Sequence, residues 1–198
     1  MPFDLTPAAE TLVEAARAFA PEASALAAAC ERTRAPDPAL IPIAAALGLT
    51  SMQIPEAYGG AGLSFSARAA VAEALGAACY GVAMAVINSH NCAHRLARLA
   101  PPDAAERLVP GLVRGELIGC TAMTEPAAGS DFAALETTAV QDGDGWRLTG
   151  EKAWIANARL ADLAVVFAQT GAPGDAKGVA GFLVETARPG VRATDRGL

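Results

Sequence analysis

Met123-Thr124-Glu125-Pro126-Ala127-Ala128-Gly129-Ser130-Asp131 is the stretch on which the reading of this chain turns. It opens at the end of an apolar, β-prone run, residues 117–123, and passes into a proline and small residues that suit neither helix nor strand. A turn of this composition exposes backbone N–H groups and hydroxyls, as a phosphate or the polar edge of an aromatic ring requires. A plain polar turn between two strands is the competing account. The turn lies just past a change in the character of the chain.

Upstream, the residues read as helices. Thr6-Pro7 supplies a hydroxyl cap and a proline at the first helical position, and Leu12, Ala16, Phe19, Ala20 and Ala23 follow at helical spacing. Pro21 is expected to kink or split that segment. Arg34-Ala35-Pro36-Asp37-Pro38 is a connection, and a short helix then runs to about Leu47 and stops at Gly48. Ile54-Pro55-Glu56-Ala57-Tyr58-Gly59-Gly60-Ala61-Gly62 reads as a loop. Helices are expected over residues 64–78 and 82–100, and a further one from Pro101-Pro102-Asp103 to near Gly115, with Pro110 as an irregularity.

Downstream, short β-prone runs take over at residues 136–141, 146–149, 163–169 and 179–185. Asp142-Gly143-Asp144-Gly145 signals a hairpin, and Gly171-Ala172-Pro173-Gly174-Asp175 another loop. Pro189-Gly190-Val191-Arg192 looks like the approach to one more strand, so the β region reads as cut short before Arg196-Gly197-Leu198. The expectation is an α+β chain. An all-α domain occupies residues 1–115, and an incomplete, barrel-like β domain occupies residues 116–198.

Composition narrows the function classes. The chain has 198 residues, enough for a core without disulfide or metal staples. Hydrophobic residues make up 53%, rich in alanine, which favours helices packed through small side chains. The formal charge of -6 argues against nucleic acid and against an anionic membrane surface. Cys30, Cys79, Cys92 and Cys120 form no CxxC pair and read as reduced thiols. Met1-Pro2-Phe3-Asp4 lacks the pattern of a leader, which gives a cytoplasmic expectation. Residues 74–94 carry no Asp, Glu, Lys or Arg. They hold Asn88, Ser89, His90, Asn91 and His94, so a buried helix is expected rather than a membrane span. His90 and His94 have zinc-compatible spacing but no further ligand in a recognisable pattern, and no metal is expected. P-loop, GxGxxG and Ser-His-Asp patterns do not occur.

A second motif follows the hairpin: Gly150-Glu151-Lys152-Ala153-Trp154-Ile155-Ala156-Asn157-Ala158. A tryptophan among small residues can stack on an aromatic cofactor or fill a core. Together the two motifs resemble the acyl-CoA dehydrogenase family. Residues 124–131 match its Thr-Glu-Pro-x-Ala-Gly-Ser-Asp segment, and residues 150–157 its Gly-x-Lys-x-Trp-Ile-x-Asn segment. Gly48-Leu49 and residues 54–62 look like its helical-domain signature, and residues 111–119 like its passage from helices to sheet.

The resemblance implies FAD and an acyl thioester enclosed by a helical domain, a β domain and a second helical domain. It implies α,β-dehydrogenation, in which a glutamate base takes the α-proton while the β-hydrogen leaves as hydride to the flavin. Carried onto this sequence, the cofactor contacts are Thr121, Met123, Thr124, Gly129 and Ser130 on one segment and Trp154, Ile155 and Ala156 on the other. Thr124 would hydrogen-bond the flavin ring. Ser130 would sit near the flavin phosphate and the pantetheine side of the substrate. Glu125 would be a structural member of the turn. Two positions depart from the family: it usually has an aromatic residue at Thr121 and a hydroxyl residue at Ala156. The family's C-terminal helical domain, which supplies the catalytic base, has no counterpart here, so no catalytic residue is assigned. The chain is then the front portion of a longer enzyme or one subunit of a split one. The alternative is a non-catalytic partner subunit. An acyl-CoA or acyl-carrier-protein substrate, electron-transfer flavoprotein or another acceptor, and a homo- or hetero-oligomer complete the expectation.

Overall fold

The computed structural model describes residues 4–33 and 37–194. Arg34-Ala35-Pro36 in the expected connection, the first three residues and Arg196-Gly197-Leu198 lie outside them. The chain divides into two compact units, Met1–Gly119 and Cys120–Leu198.

The first unit is all helix. α1 (Pro7–Thr33) starts where Thr6 Oγ1 accepts from the N–H of Ala9 at 3.3 Å. It runs unbroken through Pro21, although proline removes one hydrogen bond there. Its buried stripe is Ala9, Val13, Ala16, Phe19 and Ala23, which faces α3 (Phe65–Ala78). α2 (Leu40–Ala46) ends in the expected way: Gly48 takes a left-handed φ of 77°, and its N–H returns to Ala45. The loop after it folds back on itself, with Ala61, Gly62 and Leu63 donating to Ser51, Ile54 and Met52. Leu49, Thr50, Met52 and Ile54 are sealed in the core. Gly60 is required in that loop, because a Cβ would lie 2.0 Å from the carbonyl oxygen of Ile54.

α4 (Tyr80–Leu99) and α5 (Pro102–Val113) complete the unit. Extended Cys79 separates α3 from α4, so the uncharged stretch is two helices. Among the described residues no helix is long and apolar enough to cross a membrane. His90 on α4 is fully buried, and its Nδ1 donates to the carbonyl of Thr50 at 3.0 Å. Burial, the largest influence, holds that imidazole near pKa 4, so it is neutral and structural at ordinary pH.

The second unit is a five-stranded mixed sheet in the order β1-β4-β2-β3, with β5 on β4. The strands are β1 (Gly119–Ala122), β2 (Thr138–Asp142), β3 (Gly145–Thr149), β4 (Leu163–Gln169) and β5 (Val179–Glu185). They coincide closely with the five β-prone runs. β2 and β3 form the expected hairpin with Asp142 opposite Gly145. Gly143, at φ 61°, occupies the first central position, where two-residue hairpins take glycine. β4 and β5 pair antiparallel over seven residues. Among the described residues no strand covers the other edge of β5. Residues 191–194 form no strand. Cys120, Ala161 and Ala164 make a small core against which Ile155, Val166 and Val184 pack.

Candidate cofactor site

Every residue singled out for the cofactor lies in the second unit. β1 carries half-buried Thr121, and the chain leaves the sheet at Met123. The turn that follows closes on itself: Glu125 N–H donates to Ala128 O at 2.9 Å, and Ala128 N–H returns to Glu125 O at 3.3 Å. Gly129 and Ser130 then stand exposed. A Cβ on Gly129 would meet nothing within 4 Å, so this face of the turn is open.

The second motif begins where β3 ends. Gly150 crosses over Thr137 so closely that a Cβ would lie 2.7 Å from the Thr137 Cα. Two residues on, Lys152 turns inward. Ala153 is buried, and its N–H donates to the carbonyl of Thr124 at 2.9 Å. That bond brings the two motifs together. Trp154 and Asn157 follow with φ of 54° and 67°, the left-handed region that bulky side chains avoid. Asparagine tolerates this region, but for tryptophan it costs about 1–2 kcal/mol. The Trp154 side chain is 70% exposed, so burial within this unit does not offset the cost. Ile155 turns its side chain onto the Cys120 cluster. Among the described residues, the backbone N–H groups of Thr124, Trp154, Ile155 and Ala156 meet no acceptor.

Beneath the two turns lies a buried ion pair that the sequence reading did not assign. Lys152 Nζ is 2.6 Å from Glu125 Oε1 and donates to the Met123 carbonyl at 3.2 Å. The Glu125 carboxylate also accepts from the N–H of Thr137 at 2.9 Å and of Glu136 at 2.5 Å. Both side chains are nearly covered, at 3% and 10% exposure. Burial pushes the Glu125 carboxyl up, but the hydrogen bonds from Lys152 and the two backbone N–H groups outweigh it and bring it to about 2. Glu125 is therefore an anion at all ordinary pH, with its oxygens engaged. It is a fixture of the turn, as expected, and not a free base. The available signal for Lys152 was its place as the lysine of the Gly-x-Lys-x-Trp-Ile-x-Asn motif, which names the residue but not its partner.

Taken together, the two turns offer a row of unpartnered N–H groups, an exposed indole and an open small-residue face. This donor set fits a flat aromatic ring with a polar edge, and the adjoining Gly129-Ser130 turn fits an anionic group. The chain matches the acyl-CoA dehydrogenase N-terminal domain over residues 6–116 and the acyl-CoA dehydrogenase middle domain over residues 120–197. It belongs to the acyl-CoA dehydrogenase family. That family consists of flavin-dependent oxidoreductases that use FAD. The chain is 43% identical to the human mitochondrial short-chain specific acyl-CoA dehydrogenase over 147 residues, which are 73% of this chain and 35% of the human enzyme. It is 36% identical to the L-prolyl-[peptidyl-carrier protein] dehydrogenase of Pseudomonas fluorescens, over 75% of this chain and 40% of that protein. A glutaryl-CoA dehydrogenase from Mycobacterium smegmatis, solved in complex with FADH2, superposes with a TM-score of 0.84 at 29% identity. That match covers 94% of this chain and 47% of the other. The chain thus spans about half the length, or less, of these relatives.

Proposed function

We propose that this chain forms one wall of an FAD site and takes part in α,β-dehydrogenation of an acyl thioester. It acts as the front portion of a longer enzyme or as one subunit of a split one. The observation that carries this reading is the strained Trp154 turn, with three consecutive unpartnered N–H groups, tied by a main-chain bond to the Thr124 turn. Strained, unsatisfied backbone persists where a ligand uses it. Thr121, Met123 and Thr124 line one side, with Thr124 offering its N–H and hydroxyl to the ring edge. Trp154 presents its indole face, and Ile155 and Ala156 present N–H groups. Gly129 leaves room for a phosphate, and Ser130 supplies a hydroxyl to it and to the pantetheine arm of the substrate.

When bound, the flavin accepts the hydride that leaves the substrate β-carbon. The residues of this chain bind and orient. The base that removes the α-proton comes from outside these residues, since Glu125 is already occupied. The thioester is carried by CoA or by a carrier protein; relatives named for each are similar to this chain. Electron-transfer flavoprotein or another acceptor reoxidises the enzyme, which works as a homo- or hetero-oligomer.

The full-length protein, purified and supplied with FAD, tests the reading. A yellow protein that bleaches anaerobically with an acyl-CoA or acyl-carrier protein supports it. A protein that takes up FAD but bleaches with neither overturns the dehydrogenase part. A colourless protein that takes up no FAD, and whose presence activates a second subunit, replaces it with the partner-subunit reading.

A further inference from the structure

We propose that the Glu125–Lys152 pair is the positioning element of this cofactor site, holding the Thr124 turn and the Trp154 turn at one fixed separation. The inference rests on the flavin reading above and deepens it. Two kinds of bond join the turns. One is the neutral main-chain bond from Ala153 to Thr124. The other is the Lys152 ammonium, which reaches both the Met123 carbonyl and the Glu125 carboxylate from the residue two before Trp154. Glu125 is itself fixed to the segment leading into β2, through the N–H groups of Glu136 and Thr137. The ammonium therefore refers both turns to the sheet. A single main-chain bond acts as a hinge. A second anchor nearby removes the rotation about it.

The location of the pair separates this role from general stabilisation. The second motif keeps its own attachment to the core through Ile155, which packs on Cys120, Ala161 and Ala164. Without Lys152 the unit retains that attachment, but the segment that enters Trp154 loses its bonds to the Met123 carbonyl and the Glu125 carboxylate. The left-handed turn is then free to relax towards ordinary backbone conformations, and the row of N–H groups disperses. Charge-assisted bonds in a covered site are the strong ones, which suits them to holding strained backbone.

The test uses the full-length protein with Lys152→Met, Lys152→Arg and Lys152→Gln. The readouts are FAD affinity by flavin fluorescence, the visible circular dichroism of bound flavin, and thermal midpoint. Lys152→Met is expected to weaken FAD by about tenfold or more and to change the visible dichroism. Lys152→Arg, which can still donate to both Met123 and Glu125, is expected to restore both. If Lys152→Met does not fold, Lys152→Gln, which keeps a neutral donor, is read in its place with the same expectation. A variant that melts earlier yet binds FAD within about twofold of wild type, with unchanged visible dichroism, overturns the positioning role and leaves the flavin reading intact. A wild-type protein that takes up no FAD overturns both.

Discussion

Glu125→Gln isolates the contribution of one carboxylate, and the structure sets its size and its pH dependence. The carboxyl sits at about 2 in the folded chain, against a usual value near 4.5. That interval corresponds to about 3 kcal/mol of stability. Because the folded value is the lower one, the contribution is fully present above about pH 4.5, falls as the pH drops, and is gone below about pH 2. The glutamine cannot offer two acceptors to Glu136 and Thr137 and also an anion to Lys152. At pH 7 the variant is expected to lose about 3–5 kcal/mol, the range for breaking a buried pair from one side. The gap between wild type and variant should then shrink by about 3 kcal/mol between pH 6 and pH 2. Urea unfolding followed by tryptophan fluorescence measures it, since Trp146 and Trp154 both lie in the second unit and report on it alone. A gap that stays constant or widens as the pH falls would refute the assignment of Glu125 as a buried, paired anion.

Two substitutions separate cofactor binding from folding. Trp154→Gly places glycine at a left-handed position and removes an indole that is mostly exposed, so the second unit should change in stability by no more than about 1 kcal/mol. FAD binding should weaken several-fold through the lost stacking, roughly 1 kcal/mol. Urea titration and flavin fluorescence measure the two effects, and a stability loss above about 3 kcal/mol would make Trp154 a core residue instead. Ala156→Thr adds one hydroxyl beside an unpartnered N–H and should tighten FAD about fivefold, the equivalent of roughly 1 kcal/mol. Unchanged affinity in a folded variant would remove Ala156 from the site.

Much of the fold was legible because its signals are local. The five strands are apolar runs bounded by glycine and aspartate turns, and the glycine that ends α2 sits two residues past its last helical residue, Ala46. Of the kink or split expected at Pro21, the split does not occur: α1 passes through it, since packing of the long apolar stripe outweighs one missing bond. The second long helix begins two residues before Val82, at Tyr80, because the break falls at Cys79. The site was legible as two motifs but not as a geometry. Lys152 and Glu125 are 27 residues apart, and neither residue type signals its partner. The close approach of Thr137 beneath Gly150 is not visible in the local sequence. The left-handed turn at Trp154 contradicts local preference altogether, so no local pattern in the sequence signals it.

The bare flank of β5 also has a consequence for handling the protein. The alternate residues of this seven-residue strand that direct their main-chain groups away from β4 form a template for any extended peptide of suitable register. Concentrated samples of these 198 residues alone should therefore self-associate through that flank. A lysine or proline introduced at an outward-facing position of the strand is the direct means of suppressing it without touching either cofactor motif.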